Sequence, residues 1–125
     1  MDTEKKILVI SLEKWRDLYN NCIGQNYPID IITFEAIDSV TIGDYQTIVL
    51  GYAADQTIPK LREIGYDGPI VVVCNSEEFY KEFDITLESE RASFDDNTIP
   101  AEIDAHSFAT FPRNLNKAIE KALSA

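Results

Sequence analysis

Ile70-Val71-Val72-Val73-Cys74 is a fully apolar run, with the turn residues Asp67-Gly68-Pro69 before it and polar Asn75-Ser76 after it. Five residues are too few for a buried helix, and continuous apolar runs are typical of strands that are covered on both faces of a parallel sheet. Residues 7–10 form another such run, and residues 47–50 are apolar after Thr47. The sequence therefore predicts the centre of a parallel α/β sheet.

Helical patterns alternate with these strands. Ser11 is a predicted N-cap, and the helix after it places apolar residues at three- and four-residue spacing, namely Leu12, Trp15, Tyr19, Cys22 and Ile23. Residues 29–34 are the predicted second strand, and residues 35–44 leave room for only a turn or two of helix. Thr57-Ile58-Pro59 has the order of a cap and a proline at a helix start. A last helix carries its apolar face at Leu115, Ala118, Ile119, Ala122 and Leu123.

The segment between residues 74 and 111 is less regular. Residues 77–83 are a short helical candidate, and residues 86–104 form a predicted surface loop with room for one short turn or strand. Residues 106–110 are the predicted fifth strand. Together these elements predict one α/β domain over residues 1–125: a flavodoxin-like three-layer sandwich with a five-stranded parallel sheet. Its second helix is stunted, and an irregular segment replaces much of its fourth helix.

Composition excludes several classes of function. The 125 residues are 45% apolar, enough for one core, and the net charge of −11 argues against nucleic-acid binding, which needs clustered Lys and Arg. No apolar stretch is long enough for a membrane span, and the N-terminus does not resemble a signal peptide, so we expect a cytoplasmic protein. Cys22 and Cys74 are expected to be free thiols.

The charge is unevenly distributed. Residues 77–104 contain ten acidic and two basic residues, a net charge of −8, whereas residues 105–125 have a net charge of +2. Such an asymmetry can steer a partner of complementary charge, and a solvated acidic loop is the simpler alternative.

Four segments resemble the receiver domains of two-component signalling, and they follow one another in the receiver order. They are Lys6-Ile7-Leu8-Val9-Ile10 for the first strand, residues 44–50 for the third, residues 61–73 for the third helix and fourth strand, and Phe108-Ala109-Thr110-Phe111-Pro112 for the fifth strand and its proline. The match lies in hydrophobic pattern and turn placement. Together with the last helix, the four segments cover most of the chain.

The resemblance also implies that the phosphorylation pocket is degenerate. Ser11 and Leu12 stand where receivers have acidic Mg²⁺ ligands, with Glu13 beside them, and Gly51 stands at the phospho-acceptor position. Cys74 matches the hydroxyl-bearing switch residue and Phe108 its aromatic partner. Phe111, followed by Pro112, replaces the phosphate-pairing lysine. The implied protein is a pseudo-receiver with no catalytic residue, no metal site and no cofactor.

We therefore expect a module that acts by protein–protein contact, without binding nucleic acid or membrane. The candidate partner surface combines acidic, strand-edge and helical positions, namely Glu88, Glu90, Asp95, Asp96, His106, Phe108, Arg113, Lys117 and Lys121. Homodimerisation through the last helix remains open.

Three alternatives also remain open. One is a small-ligand sensor that binds at Leu12, Gly51 and Phe111, at the carboxyl edge of the sheet. Another is a rebuilt phospho-acceptor site that uses Glu13 and Asp55. The third is a redox-sensitive thiol at Cys74.

Overall fold

The computed structural model describes residues 6–51, 54–74, 92, 94–102 and 110–124, and its strands form one five-stranded sheet. The strands are β1 (Ile7–Ile10), β2 (Ile29–Ile32), β3 (Thr47–Leu50), β4 (Ile70–Cys74) and β5 (Thr98–Glu102). The α-helices in these ranges are α1 (Arg16–Cys22), α2 (Ala54–Glu63) and α3 (Thr110–Ser124).

The sheet is parallel throughout, with the strand order β2-β1-β3-β4-β5. This is the flavodoxin-like, doubly wound order, and it confirms the predicted fold class. The central strands β1 and β3 pair in register from Ile7 with Thr47 to Ile10 with Leu50. Every residue of these two strands is buried, as their continuous apolar sequences predict.

Alternate side chains of β1 enter two different cores. Ile7 and Val9 pack with α1 and α3 on one face of the sheet. Leu8 and Ile10 pack with α2 and the segment after β2 on the other face. The result is the predicted three-layer sandwich, in which both faces of the sheet are covered by helical segments.

The second helix is stunted, as predicted. Residues between β2 and β3 form only two short 3₁₀ helices, Phe34–Ser39 and Ile42–Asp44. Ile37 is the buried residue of the first, and it packs against the core that α2 covers. None of the helices in the described ranges has both the length and the apolar character required to cross a bilayer.

The starts of α1 and α2 differ from the prediction. Ser11 is not an N-cap: a short 3₁₀ helix over Glu13–Trp15 precedes α1, and Ser11 is buried instead at the end of β1. Helix α2 begins at Ala54, so Thr57 and Pro59 lie inside it. Helix α2 ends at Glu63, and the chain turns at Gly65, which has a φ of 103°, while the Tyr66 amide donates back to the carbonyl of Leu61.

The fifth strand is also in a different place. The strand beside β4 is Thr98–Glu102, within the stretch predicted as a loop, and Thr110 begins α3. Residues 106–109 of the predicted strand lie outside the described residues. The strand at 98–102 contains Pro100, which is tolerated because β5 is an edge strand, where a proline nitrogen can face away from the sheet. The helical candidate at 77–83 also lies outside the described residues.

Candidate functional site at the switch point of the sheet

The ends of β1 and β3 meet at the topological switch point of the sheet, where doubly wound folds commonly bind ligands. The chain goes from β1 to β2 on one side and from β3 to β4 on the other. The Gly51 amide donates to the carbonyl of Ile10 over 2.9 Å, and the Ser11 amide donates to that of Ile32 over 3.0 Å. The fold thus brings together Ser11 and Gly51, two of the residues singled out from the sequence.

The space beside Gly51 is occupied by hydroxyl groups. A Cβ atom added at Gly51 would lie 2.6 Å from Ser11 Oγ, 2.7 Å from Tyr19 Oη and 3.0 Å from Ser11 Cβ. Real Cβ atoms do not approach other heavy atoms so closely, so no larger residue fits here without movement. Gly51 is therefore required by close packing.

Tyr19 is the site residue that sequence reasoning missed. It lies on the inward face of α1, where its spacing with Trp15 and Cys22 marked it as part of an apolar stripe. Its side chain is 3% exposed and Ser11 is 1% exposed. Burial raises the pKa of Tyr19 well above its ordinary value, and a hydrogen bond from Ser11 partly opposes that rise. The phenol is therefore neutral at physiological pH.

A glycine at the end of a buried strand was the available signal for this arrangement. Gly51 lacks the side chain that would fill the end of the β1–β3 seam, and interiors are close-packed, so a neighbouring element must supply the missing volume. Tyr19 has the length to reach it from the middle of α1. Which residue of the stripe does so depends on the tilt of the helix, and the pattern does not specify it.

Glu13 is held by a neighbour on the surface. Its carboxylate accepts two hydrogen bonds from Arg16, at 2.6 Å and 2.9 Å, and these bonds lower the pKa of Glu13. Arg16 also donates to the carbonyl of Ile31 over 3.2 Å, so the pair joins the start of α1 to β2. Among the residues that the structure describes, no three His, Cys, Asp or Glu side chains converge as metal ligands would.

Of the remaining pocket residues, Phe111 and Pro112 are not placed as the sequence suggested. Leu12 is partly buried, and Cys74 is the last residue of β4. Phe111 and Pro112 lie in the first turn of α3, not directly after the fifth strand, so the proposed equivalence with a phosphate-pairing lysine and its proline is wrong in position. The strand was assigned too late in the chain. Phe108 and the side chains of Cys74, Asp55 and Phe111 lie outside what the structure describes.

The candidate partner surface divides into two described parts. Asp95 and Asp96 lie in the turn before β5, and Arg113, Lys117 and Lys121 are exposed on α3. Glu88, Glu90, His106 and Phe108 lie outside the described residues. The two parts therefore flank the edge strand β5 in the sequence, one before it and one after it.

Asp95 is tied into the fold by Arg62 of α2. The Arg62 guanidinium donates to both carboxylate oxygens, at 2.8 Å and 3.1 Å, and to the backbone carbonyls of Tyr66 and Gly68. Asp95 also accepts hydrogen bonds from the Asn97 amide and the Thr98 hydroxyl. The Arg62 hydrogen bonds are the main cause that lowers the pKa of Asp95 to about 2. This carboxylate positions the start of β5.

Comparison of the chain with models of protein families, with characterised proteins and with solved structures returned no match.

Proposed function

We propose that this chain is a cytoplasmic protein–protein interaction module of pseudo-receiver type, which works without phosphorylation and is not an enzyme. One observation carries the proposal: the place of the phospho-acceptor side chain, beside Gly51, is filled by the hydroxyls of Ser11 and Tyr19. A glycine has no carboxylate to attack a phosphoryl donor, and the buried hydroxyls leave no room for one.

The surroundings of the site support the same proposal. A receiver pocket needs carboxylates that are free to hold Mg²⁺ through oxygen. Ser11 is buried and hydrogen-bonded to a phenol, Leu12 has no ligating atom, and the Glu13 carboxylate is engaged by Arg16. A small ligand held at Leu12, Gly51 and Phe111 would need the same space beside Gly51.

The surface supports binding of proteins. The proposed partner surface keeps Asp96, Arg113, Lys117 and Lys121, which are exposed, together with Glu88, Glu90, His106 and Phe108. Asp95 serves the fold through Arg62, so its contribution to a partner contact is secondary.

The test is an amide NMR titration of the ¹⁵N-labelled chain with Mg²⁺ and then with beryllofluoride, which mimics a phosphoryl group. We expect the amide signals of Ser11, Glu13 and Gly51 to stay in place, while a conventional receiver domain in the same buffer responds. Saturable shifts that cluster at Glu13, Gly51 and Asp55 would mean that the site accepts a phosphoryl group, and the proposal would be withdrawn.

A further inference from the structure

Apart from Lys14, which lies over the Trp15 ring, the described basic residues of this acidic chain fall into two groups. Four of those described form ion pairs with the chain's own carboxylates: Lys6 with Asp30, Arg16 with Glu13, Lys60 with Asp38 and Arg62 with Asp95. Arg113, Lys117 and Lys121 are exposed and form no ion pair within the described ranges. Helix α3, which carries them, has one acidic residue, the exposed Glu120, so three cations without an ion pair in the described ranges still give it a local excess of positive charge.

These cations lie on one face of α3. Positions 113, 117 and 121 are separated by four residues, so the side chains follow one another at about 6 Å along the helix axis. The opposite face of α3 is anchored in the core by Leu115, Ile119 and Ala122, which are almost fully buried. The cationic face is therefore held in a fixed orientation.

A groove runs between this face and the edge strand. It has a volume of about 410 Å³. Ile99, Pro100, Ala101 and Ala118 supply the apolar part of its wall, and its polar groups come from Asn114, Lys117 and Lys121. An apolar groove with a charged rim suits a partner segment that has apolar side chains on one face and charges of opposite sign beside them.

The edge of β5 does not favour an added strand. The carbonyl of Asn97 accepts from the Ile70 amide of β4, so by alternation the backbone groups of Thr98, Pro100 and Glu102 face away from the sheet. Pro100 has no N–H, and the Thr98 amide donates to the carbonyl of Asp95 over 3.2 Å. Two of the three outward donors are thus unavailable to a sixth strand, and the groove must be filled through side chains.

From the unpaired cations, the apolar groove and the closed edge, we propose that the groove between β5 and α3 binds an acidic amphipathic helix of a partner protein. Carboxylates one turn apart on such a helix match the spacing of Lys117 and Lys121, and an apolar residue between them packs on Pro100 and Ala118. This inference rests on the proposed interaction function and names the chemistry of the partner.

The probe is a synthetic helical peptide with glutamates at positions i, i+4 and i+8 and leucines on the adjoining face. Its control has the same composition with the glutamates redistributed around the helix. In a titration of the ¹⁵N-labelled full chain, we expect saturable shifts at Ile99, Ala101 and Ala118 with the first peptide and weaker, unsaturated ones with the second. Absent shifts, or equal responses to both peptides, would overturn the proposal.

Charge reversal supplies the second measurement. The double variant Lys117→Glu/Lys121→Glu is expected to weaken binding by about tenfold or more, as close interfacial charge pairs do. Lys14→Glu changes an exposed lysine outside the groove and is expected to change the affinity less than about twofold. If Lys14→Glu weakened peptide binding as much as the double variant did, the effect would come from net charge alone, and the proposal would be overturned.

Sedimentation of the unliganded chain tests whether a second copy of the chain, and not a partner helix, occupies the groove. A dimer that dissociates in the Lys117→Glu/Lys121→Glu variant would assign the groove to a second copy, against the proposal. The beryllofluoride titration separates this inference from the proposed function. If the Gly51 signal shifted with beryllofluoride while the peptide still bound, only the proposal of a phosphorylation-independent function would fail. If the Gly51 signal stayed in place and the peptide did not bind, only the groove proposal would fail.

Discussion

The switch point between β1 and β3 and the groove between β5 and α3 belong to one sheet but differ in almost every property. At the switch point, Ser11, Tyr19 and Gly51 are buried, and their atoms fill the available space. At the groove, Lys117 and Lys121 are exposed, and the space between the elements is open. In one doubly wound sheet, the space beside Gly51 at the usual ligand-binding end is filled, while a groove at the lateral edge is open to solvent.

The largest effect is expected where the space is closed. Gly51→Ala should lower the free energy of unfolding by about 3 kcal/mol, because its Cβ would lie under 3 Å from two hydroxyl oxygens in a packed interior. Urea unfolding of the variant and the wild type measures this loss of free energy. Gly43→Ala is the matched control, since a Cβ there meets nothing within 4 Å, and we expect a change of less than about 1 kcal/mol.

A double variant sharpens this result. Tyr19→Phe removes one of the two oxygens, so Gly51→Ala should cost about 1 kcal/mol less in the Tyr19→Phe protein than in the wild type. If Gly51→Ala cost the same in both backgrounds, the phenol would not be the group that closes the site. If it cost nothing in either, the contrast between the two regions would fail.

A smaller effect is expected at Arg62, which holds Asp95 at the start of β5. Arg62→Gln should destabilise the chain by about 2 kcal/mol, since it removes hydrogen bonds to Asp95 and to the carbonyls of Tyr66 and Gly68. Lys60→Gln, which loses a 3.4 Å ion pair with Asp38 and a contact with the Phe34 ring, should cost less than about 1 kcal/mol. Thermal and urea unfolding of the two variants would show whether Arg62 matters more than an ordinary surface cation.

The Asp95 carboxylate adds a pH dependence. Its pKa is lowered to about 2 in the folded chain, so its contribution is present above its ordinary value of 3.8 and is lost as the pH falls through about 2. Because the side chain is 39% exposed, we expect only about 1 kcal/mol. Between about pH 4 and pH 2, the unfolding free energy of the wild type should therefore fall by about 1 kcal/mol more than the unfolding free energy of Asp95→Asn. The same pH response in both would disprove the link, and Asp96→Asn is the control for removing a neighbouring carboxylate.

The smallest effect is expected at the open surface. Lys117→Glu/Lys121→Glu should change the unfolding free energy by less than about 0.5 kcal/mol, because neither lysine has an ion-pair partner in the described ranges. Circular dichroism during thermal unfolding checks this. A loss above about 1 kcal/mol would show that the cationic face belongs to the fold and not to a binding surface.

The central fold could be predicted because burial on both faces leaves a clear pattern. Ile7–Ile10, Thr47–Leu50 and Ile70–Cys74 form strands with the expected limits, and parallel pairing follows from their continuous apolar character. The edge strand β5 could not be found in this way. Two of its five residues, Thr98 and Glu102, are polar, and its proline is tolerated because the strand is at the edge of the sheet. Strand pairing decides that position, and the local sequence does not show it.

The candidate site was predictable in part. Ser11 and Gly51 do lie side by side, as expected where the carboxyl ends of neighbouring parallel strands meet, and their assignment to a degenerate phosphorylation pocket stays a prediction. Phe111 was placed wrongly because the fifth strand was assigned to a later segment. Tyr19 was missed because an inward tyrosine has the same spacing in a helix as any core residue, and only tertiary packing directs its hydroxyl to Gly51.

The position of Pro100 has a consequence for the aggregation of the chain at high concentration. Ile70-Val71-Val72-Val73-Cys74 has the β-branched, uncharged, proline-free composition of segments that assemble into cross-β fibrils. In the folded chain this segment lies one strand inside the sheet, and the strand outside it carries a proline whose nitrogen cannot template another chain. We therefore expect that a chain lacking residues 98–102 would expose Ile70–Cys74 at the sheet edge and aggregate more readily than the intact chain.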